Sequence, residues 1–78
     1  MATLRDKRPM TKLRTARKAA GLTQGVLAYM CGIRTDAVQA YEAGERVPNA
    51  ATFSRLARAV GKTTVDIDEW ENEPLNTI

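Results

Sequence analysis

Histidine is absent from this 78-residue chain, and cysteine occurs once, as Cys31. Structural zinc sites use four cysteine or histidine ligands, so no site of ordinary ligand spacing is available. The Ser-His and Cys-His pairs of nucleophilic enzymes are excluded as well. No glycine-rich phosphate loop is present, because the five glycines, Gly25 excepted, stand singly at predicted helix ends. The sequence therefore predicts neither an enzyme nor a bound metal or cofactor.

Long apolar runs are also missing. None approaches the roughly 18 residues of a membrane span, and none follows the basic N-terminus as a signal peptide would require. A single cysteine excludes an internal disulfide, so Cys31 is expected to be a small buried hydrophobe in a reducing cytoplasm. The 44% hydrophobic content suits one small core. We expect a cytoplasmic protein with no membrane segment and no small-molecule pocket.

Charge is distributed unevenly along the chain. Residues 1–18 contain seven basic groups and one acidic group, a net charge of +6, whereas residues 62–78 contain one basic and five acidic groups, a net charge of −4. The pattern predicts a flexible basic arm over 1–8, a folded domain over 9–70 and a loose acidic tail over 71–78. Such an arm suits nucleic acid; alternatively, both charged ends only keep the domain soluble.

Helical spacing of apolar residues and helix-end signals predict five short helices. Their bounds in chain order are residue 10 or 11 to Ala20, Thr23 to Gly32, Gly32 to Gly44, about 50 to 60, and a short helix that begins at Thr63 or Thr64. In the fifth helix, Val65, Ile67 and Trp70 are expected to face inward.

The segment around Gly32 is the most informative. Glycine takes the positive φ of a sharp turn at little cost, so two short helices are predicted to meet there. Val38 and Tyr41 belong to the buried face of the second of these helices, and its opposite face is polar. A helix with a polar outer face, supported by a helical scaffold, has the geometry of a major-groove reader.

The stretch from Leu13 through Ile67 resembles the phage-repressor/Cro-type (XRE) helix-turn-helix family, by the joint order and spacing of short motifs. The matching residues are Gly21-Leu22-Thr23-Gln24, Leu27-Ala28, Gly32-Ile33, Val38, Tyr41-Glu42-Ala43-Gly44, Arg46-Val47-Pro48, Leu56-Ala57-Arg58-Ala59-Val60-Gly61, Val65 and Ile67. The resemblance implies an all-α, compact five-helix domain of the lambda-repressor-like type, with the helix-turn-helix formed by the second and third helices.

The resemblance also implies a function. The chain is expected to be a sequence-specific double-stranded DNA-binding transcriptional regulator that inserts its third helix in the major groove. Homodimers on a palindromic site would repress by steric exclusion, as in regulators of phage, mobile-element or antitoxin type.

The family's functional residues map onto named positions here. The glutamine that begins the family's second helix contacts a DNA phosphate and braces a base reader, and this role maps onto Gln24. The family's base readers map onto Thr35, Asp36, Gln39 and Ala40. Arg34, at the start of the third helix, suits a phosphate better than a base, and Arg46 matches a family position that touches the DNA backbone.

These positions leave alternatives open. Gln39 can pair bidentately with adenine, Ala40 can contact a thymine methyl, and Thr35 can serve a base or a phosphate. Asp36 either accepts from a cytosine amino group or only stabilises the helix N-terminus. Gln24 either contacts phosphate or simply faces water.

The second helix departs from the family pattern. Its outward positions Val26, Tyr29 and Met30 form an apolar stripe where the family usually has charged residues. The N-terminal arm, a second copy or a different protein is expected to cover the stripe. An alternative function follows, in which the fold is a protein-interaction adaptor that uses this stripe and binds DNA weakly or not at all.

Two further contacts follow from the resemblance. Arg17 and Glu42 are expected to form an ion pair between the first and third helices. The dimer contact is expected around Val65, Ile67 and Trp70, because a tryptophan ring is hard to bury within so small a subunit; alternatively, Trp70 simply packs on its own fifth helix.

Overall fold

The structure, a computed structural model, describes residues 7–70. Within that range the chain is all-α, with four α-helices and one 3-10 turn. The elements are α1 (Thr11–Ala19), α2 (Gln24–Cys31), α3 (Thr35–Ala43), α4 (Ala50–Ala59) and the 3-10 turn (Val65–Ile67). Of the predicted arm and tail, only Lys7 and Arg8 lie within the described residues. In the described range, no helix is both long and apolar enough to cross a membrane.

Local side-chain and backbone signals set the helix ends. Thr23 Oγ1 accepts from the Val26 amide at 3.1 Å and so caps α2. Gly32 ends α2 and Gly44 ends α3, both in the left-handed conformation, with φ of +70° and +83°. The predicted start of the second helix at Thr23 and the glycine ends of the second and third helices are confirmed.

The predicted fifth helix is wrong, because a single 3-10 turn stands in its place. The Asp66 carboxylate accepts from the Thr63 amide at 2.9 Å and from the Thr63 hydroxyl at 3.0 Å, which closes a local turn. Asp68 then returns to extended backbone. One turn can bury only one side of its residues, so Ile67 is fully buried while Val65 is 56% exposed. The predicted inward position of Val65 is therefore wrong.

The core lies where α2 and α3 pack together and α1 and α4 close over them. Its fully buried side chains are Met10, Leu13, Leu27, Val38, Leu56 and Ile67. Cys31 is buried among them, as predicted, and burial raises the pKa of its thiol.

Trp70 belongs to the same core, with 8% of the residue exposed. The Arg8 guanidinium lies over its ring, 6.0 Å from the centroid. The predicted inward position of Trp70 is therefore confirmed, and the expectation that its ring resists burial within one subunit is wrong. Residues 68–70 return to the start of α1, where Lys12 Nζ donates to the Asp68 carbonyl at 3.3 Å.

Glu69 anchors this return to α1. Its Oε1 accepts from the Thr11 hydroxyl at 2.8 Å and from the Lys12 amide. Met10 precedes α1 and provides no side-chain cap. The carboxylate of Glu69, distant in sequence, thus satisfies a free amide of the first turn and places negative charge at the positive helix end.

Candidate nucleic-acid interface

The buried carboxylate of Glu42 connects three helices. Arg17 Nε donates to its Oε2 at 2.7 Å and Arg17 Nη2 to its Oε1 at 3.2 Å, so the predicted ion pair is confirmed and bidentate. Gln24 Nε2 donates to the same Oε1 at 2.9 Å. A third donor of Arg17, Nη1, reaches the Leu22 carbonyl at 2.8 Å. The network ties α1, the α1–α2 connection, α2 and α3 together, which fixes how α3 is presented to solvent.

Gln24 therefore has a structural partner that the sequence did not suggest. Sequence reasoning expected it to contact a phosphate and to brace a base reader. Its amide nitrogen instead donates to Glu42, which is 7% exposed and lies in the interior. The residue is half-buried at the first position of α2, and its phosphate contact stays a prediction.

The outer face of α3 brings together three of the four predicted base readers. Thr35, Asp36 and Gln39 are exposed and line one open groove between α2 and α3. Gly25 lies opposite Thr35, and a Cβ built on this glycine would lie 3.7 Å from Thr35 Oγ1. Because Gly25 has no side chain, the backbone at the start of α2 stays accessible beside the polar face of α3.

Ala40 does not share this face. It is 8% exposed, and its carbonyl accepts from the Glu45 amide at 2.8 Å in the turn that ends α3. A methyl group buried in this way is not available to a thymine methyl. We therefore leave Ala40 out of the proposed interface.

Arg34 and Asp36 form an ion pair at the start of α3. Arg34 Nε donates to Asp36 Oδ1 at 3.1 Å, and both side chains are largely exposed. The hydrogen bond from Arg34 is the main cause that lowers the pKa of the Asp36 carboxyl, and the charge of Arg46 contributes in the same direction. Asp36 thus carries a negative charge on a face proposed to meet DNA, and the positive charges of Arg34 and Arg46 act on its carboxylate.

Arg46 lies in the loop beyond the C-terminal end of α3. Its guanidinium lies 5.6 Å from the centroid of the Tyr41 ring. This contact holds the exposed guanidinium of Arg46 against the Tyr41 ring and restricts the conformations of the Arg46 side chain.

Over residues 7–70 the structure contains no group of three or more acidic or cysteine side chains that could hold a metal ion.

Comparisons with known proteins agree with this arrangement. The family model described as "Helix-turn-helix domain" matches residues 11–70. The chain belongs to this helix-turn-helix family. No curated protein sequence matches it significantly.

Solved structures share the fold. The restriction-modification controller protein C.AhdI from Aeromonas hydrophila is 29% identical, with a TM-score of 0.71 over 74% of this chain and 88% of that one. The P22 c2 repressor, solved with a synthetic operator, is 24% identical, with a TM-score of 0.73 over 80% of this chain and 96% of that one. HppE, solved with Fe(II) and substrate, is 22% identical with a TM-score of 0.67, but the match covers 34% of that chain. At these identities the repressor and HppE indicate the fold alone.

Proposed function

We propose that this chain is a sequence-specific double-stranded DNA-binding transcriptional regulator that inserts α3 in the major groove. The observation that carries the proposal is the exposed polar face of α3, which a buried network holds at a defined orientation on α2. A rigid helix with polar side chains on its first two turns can present donors and acceptors to base edges. The similarity to C.AhdI, a restriction-modification controller protein, supports the same function.

Each side chain has a distinct task in this proposal. Gln39 and Thr35 face the bases, while Arg46 and the amides at the start of α2 contact phosphates. Phosphate contacts supply affinity and register, and base contacts supply specificity. No step of this function uses a cofactor or a catalytic group.

A salt titration tests this function. Genomic fragments are mixed with the full chain, and mobility shifts are followed with and without excess competitor DNA. We expect a subset of fragments to stay bound, with affinity that falls linearly with salt on a log-log plot. A shift that competitor removes equally from every fragment would contradict sequence-specific binding.

We propose further that the protein binds as a homodimer, because one recognition helix reads too few base pairs to single out a site. Of the three residues that resemblance assigns to the dimer contact, only Val65 is exposed, at 56%. Ile67 and Trp70 are buried within the subunit. An exposed valine on a short turn is the part of that region still available to a second copy.

Two matched variants test the dimer contact. Val65→Glu and Met30→Glu each place a carboxylate on an exposed apolar position of similar exposure, 56% and 52%. We expect Val65→Glu to abolish cooperative filling of two half-sites and Met30→Glu to retain it. The opposite result would move the dimer contact to α2.

The apolar stripe on α2 favours a second, separable function. Val26, Tyr29 and Met30 are 45%, 86% and 52% exposed, so the described residues leave the stripe uncovered. Such a stripe suits a protein contact, as in the adaptor alternative. Survival of DNA binding in the presence of competitor DNA favours the regulator, and loss of binding favours the adaptor.

We propose a cytoplasmic repressor of phage, mobile-element or antitoxin type as the biological setting.

A further inference from the structure

Arg34 and Asp36 form their ion pair at the N-terminal end of α3. In the proposed docking, this end of α3 lies in the major groove. The Nε–Oδ1 distance is 3.1 Å, and the side chains are 88% and 64% exposed. Both residues line the groove that also contains Thr35 and Gln39. In helix-turn-helix proteins the first residues of the recognition helix approach the base edges, so the pair has direct access to bases.

The hydrogen bond uses only one edge of the guanidinium. Arginine carries five N–H donors in one rigid plane, and here the Nε–H is directed at Asp36. Among residues 7–70 the two terminal Nη groups of Arg34 have no acceptor. These groups form an edge with two parallel donors, which matches any target with two acceptors in one plane.

The neighbouring carboxylate decides between two such targets. Beside a phosphate, Asp36 would bring two negative charges together and cancel much of the Coulombic attraction of Arg34. Guanine has no net charge and presents O6 and N7 as paired acceptors in the major groove. An arginine already paired with a carboxylate therefore favours the guanine edge over a phosphate.

We infer that Arg34 reads a guanine in the major groove, and that Asp36 is a positioning residue that holds the guanidinium plane. This inference rests on the proposed insertion of α3 in DNA. It replaces the phosphate contact that the sequence suggested for Arg34 and the cytosine contact considered for Asp36. Holding the arginine before binding also reduces the side-chain entropy lost when DNA is bound.

The pair is present over the range in which DNA binding is measured. The Arg34 hydrogen bond lowers the pKa of the Asp36 carboxyl, so the group is ionised at neutral pH. An exposed ion pair contributes little to fold stability. Variants at either residue are therefore expected to stay folded, which circular dichroism can verify.

The first experiment measures base preference at single positions. Selection from random duplexes yields the preferred half-site, and fluorescence anisotropy then compares all four bases at each position. We expect Arg34→Lys to lower the preference for guanine at one position about tenfold, because lysine cannot present two coplanar donors. Arg46→Lys, the matched control, should leave every base ratio unchanged.

Asp36→Asn separates positioning from charge. It should weaken the same guanine preference, because the guanidinium loses its charged partner, yet bind unrelated duplexes as well or better, because a negative charge is removed. Replacing the selected guanine by 7-deazaguanine, which lacks N7, should weaken wild-type binding about tenfold and leave Arg34→Ala unaffected.

Two results would overturn the inference. One is an unchanged set of base ratios in Arg34→Lys. The other is a lost cytosine preference in Asp36→Asn that Arg34→Ala retains, which would make Asp36 itself the reader. Failure of the wild-type protein to select any sequence is a different outcome, since it would contradict the proposed function and this inference together.

Discussion

Arg17 Nε lies 2.7 Å from Glu42 Oε2, in a pair whose side chains are only 9% and 5% exposed. The pair is bidentate, and Gln24 satisfies a further acceptor position of the carboxylate. No side-chain polar atom that is buried in the described part of the chain lacks a partner. The orientation of α3 thus depends on a fully satisfied polar network and not on apolar packing alone.

Breaking one side of this pair should be costly. Glu42→Gln leaves the Arg17 charge poorly solvated and unpaired, and we expect the free energy of unfolding to fall by about 3–5 kcal/mol. Glu45→Gln, at an exposed glutamate three residues away, is the control and should change stability by less than about 0.5 kcal/mol. Urea unfolding followed by circular dichroism measures both. Equal stability of the two variants would mean that the pair is not structural.

Gly44 should tolerate substitution less well than Gly32. Both have positive φ, so alanine strains either position by about 1–2 kcal/mol. At Gly32 a new Cβ meets nothing within 4 Å, whereas at Gly44 it would lie 2.5 Å from the Pro9 backbone nitrogen. We expect Gly44→Ala to lower the melting temperature clearly more than Gly32→Ala. Similar melting temperatures would show that the segment before α1 can move aside.

Trp70 should contribute to folding of the monomer. Because its ring is buried, Trp70→Ala is expected to lower the free energy of unfolding by about 3–5 kcal/mol. Val65→Ala, five residues earlier and half-exposed, is the control and should have little effect. Thermal denaturation at a concentration where the protein is monomeric measures both. An unchanged free energy of unfolding in Trp70→Ala would contradict a core role for the ring.

Glu69 should act as the missing cap of α1. Glu69→Ala removes the acceptor of the Lys12 amide, and we expect a loss of about 1 kcal/mol, as for other lost N-caps. Hydrogen exchange should locate the effect in the first turn of α1. Unchanged protection there would contradict a capping role.

Local signals in the sequence predicted most of the fold. Thr23, Gly32 and Gly44 act on neighbouring backbone, so the ends of α2 and α3 followed from residue type alone. The helix predicted after Gly61 does not form, because Thr63 donates two hydrogen bonds to Asp66 and the chain closes into one turn. Helix propensity does not include such side-chain hydrogen bonds, which compete with the helical backbone bonds.

Contacts between distant residues were harder to predict. The pairing of Arg17 with Glu42 followed from the family pattern, whereas the Gln24 contact to Glu42 depends on a packing angle that no local pattern specifies. The burial of Trp70 likewise depends on the path of neighbouring segments. The exposure of Thr35, Asp36 and Gln39 was predicted better, because helical periodicity decides which residues of α3 face outward. Ala40 entered the predicted site through the family pattern and is buried, and the base contacts of the other three residues stay predictions.

Binding-site selection with Gln39→Ala and Gln24→Ala tests most directly whether α3 reads DNA. The two variants remove the same functional group from an exposed position on α3 and from the start of α2. If α3 lies in the major groove, Gln39→Ala should relax preference at one base pair by about 1–3 kcal/mol. Gln24→Ala should then weaken good and poor sites equally. Unchanged selectivity in Gln39→Ala would contradict the proposed docking, whereas altered selectivity in Gln24→Ala alone would show only that its bond to Glu42 orients α3.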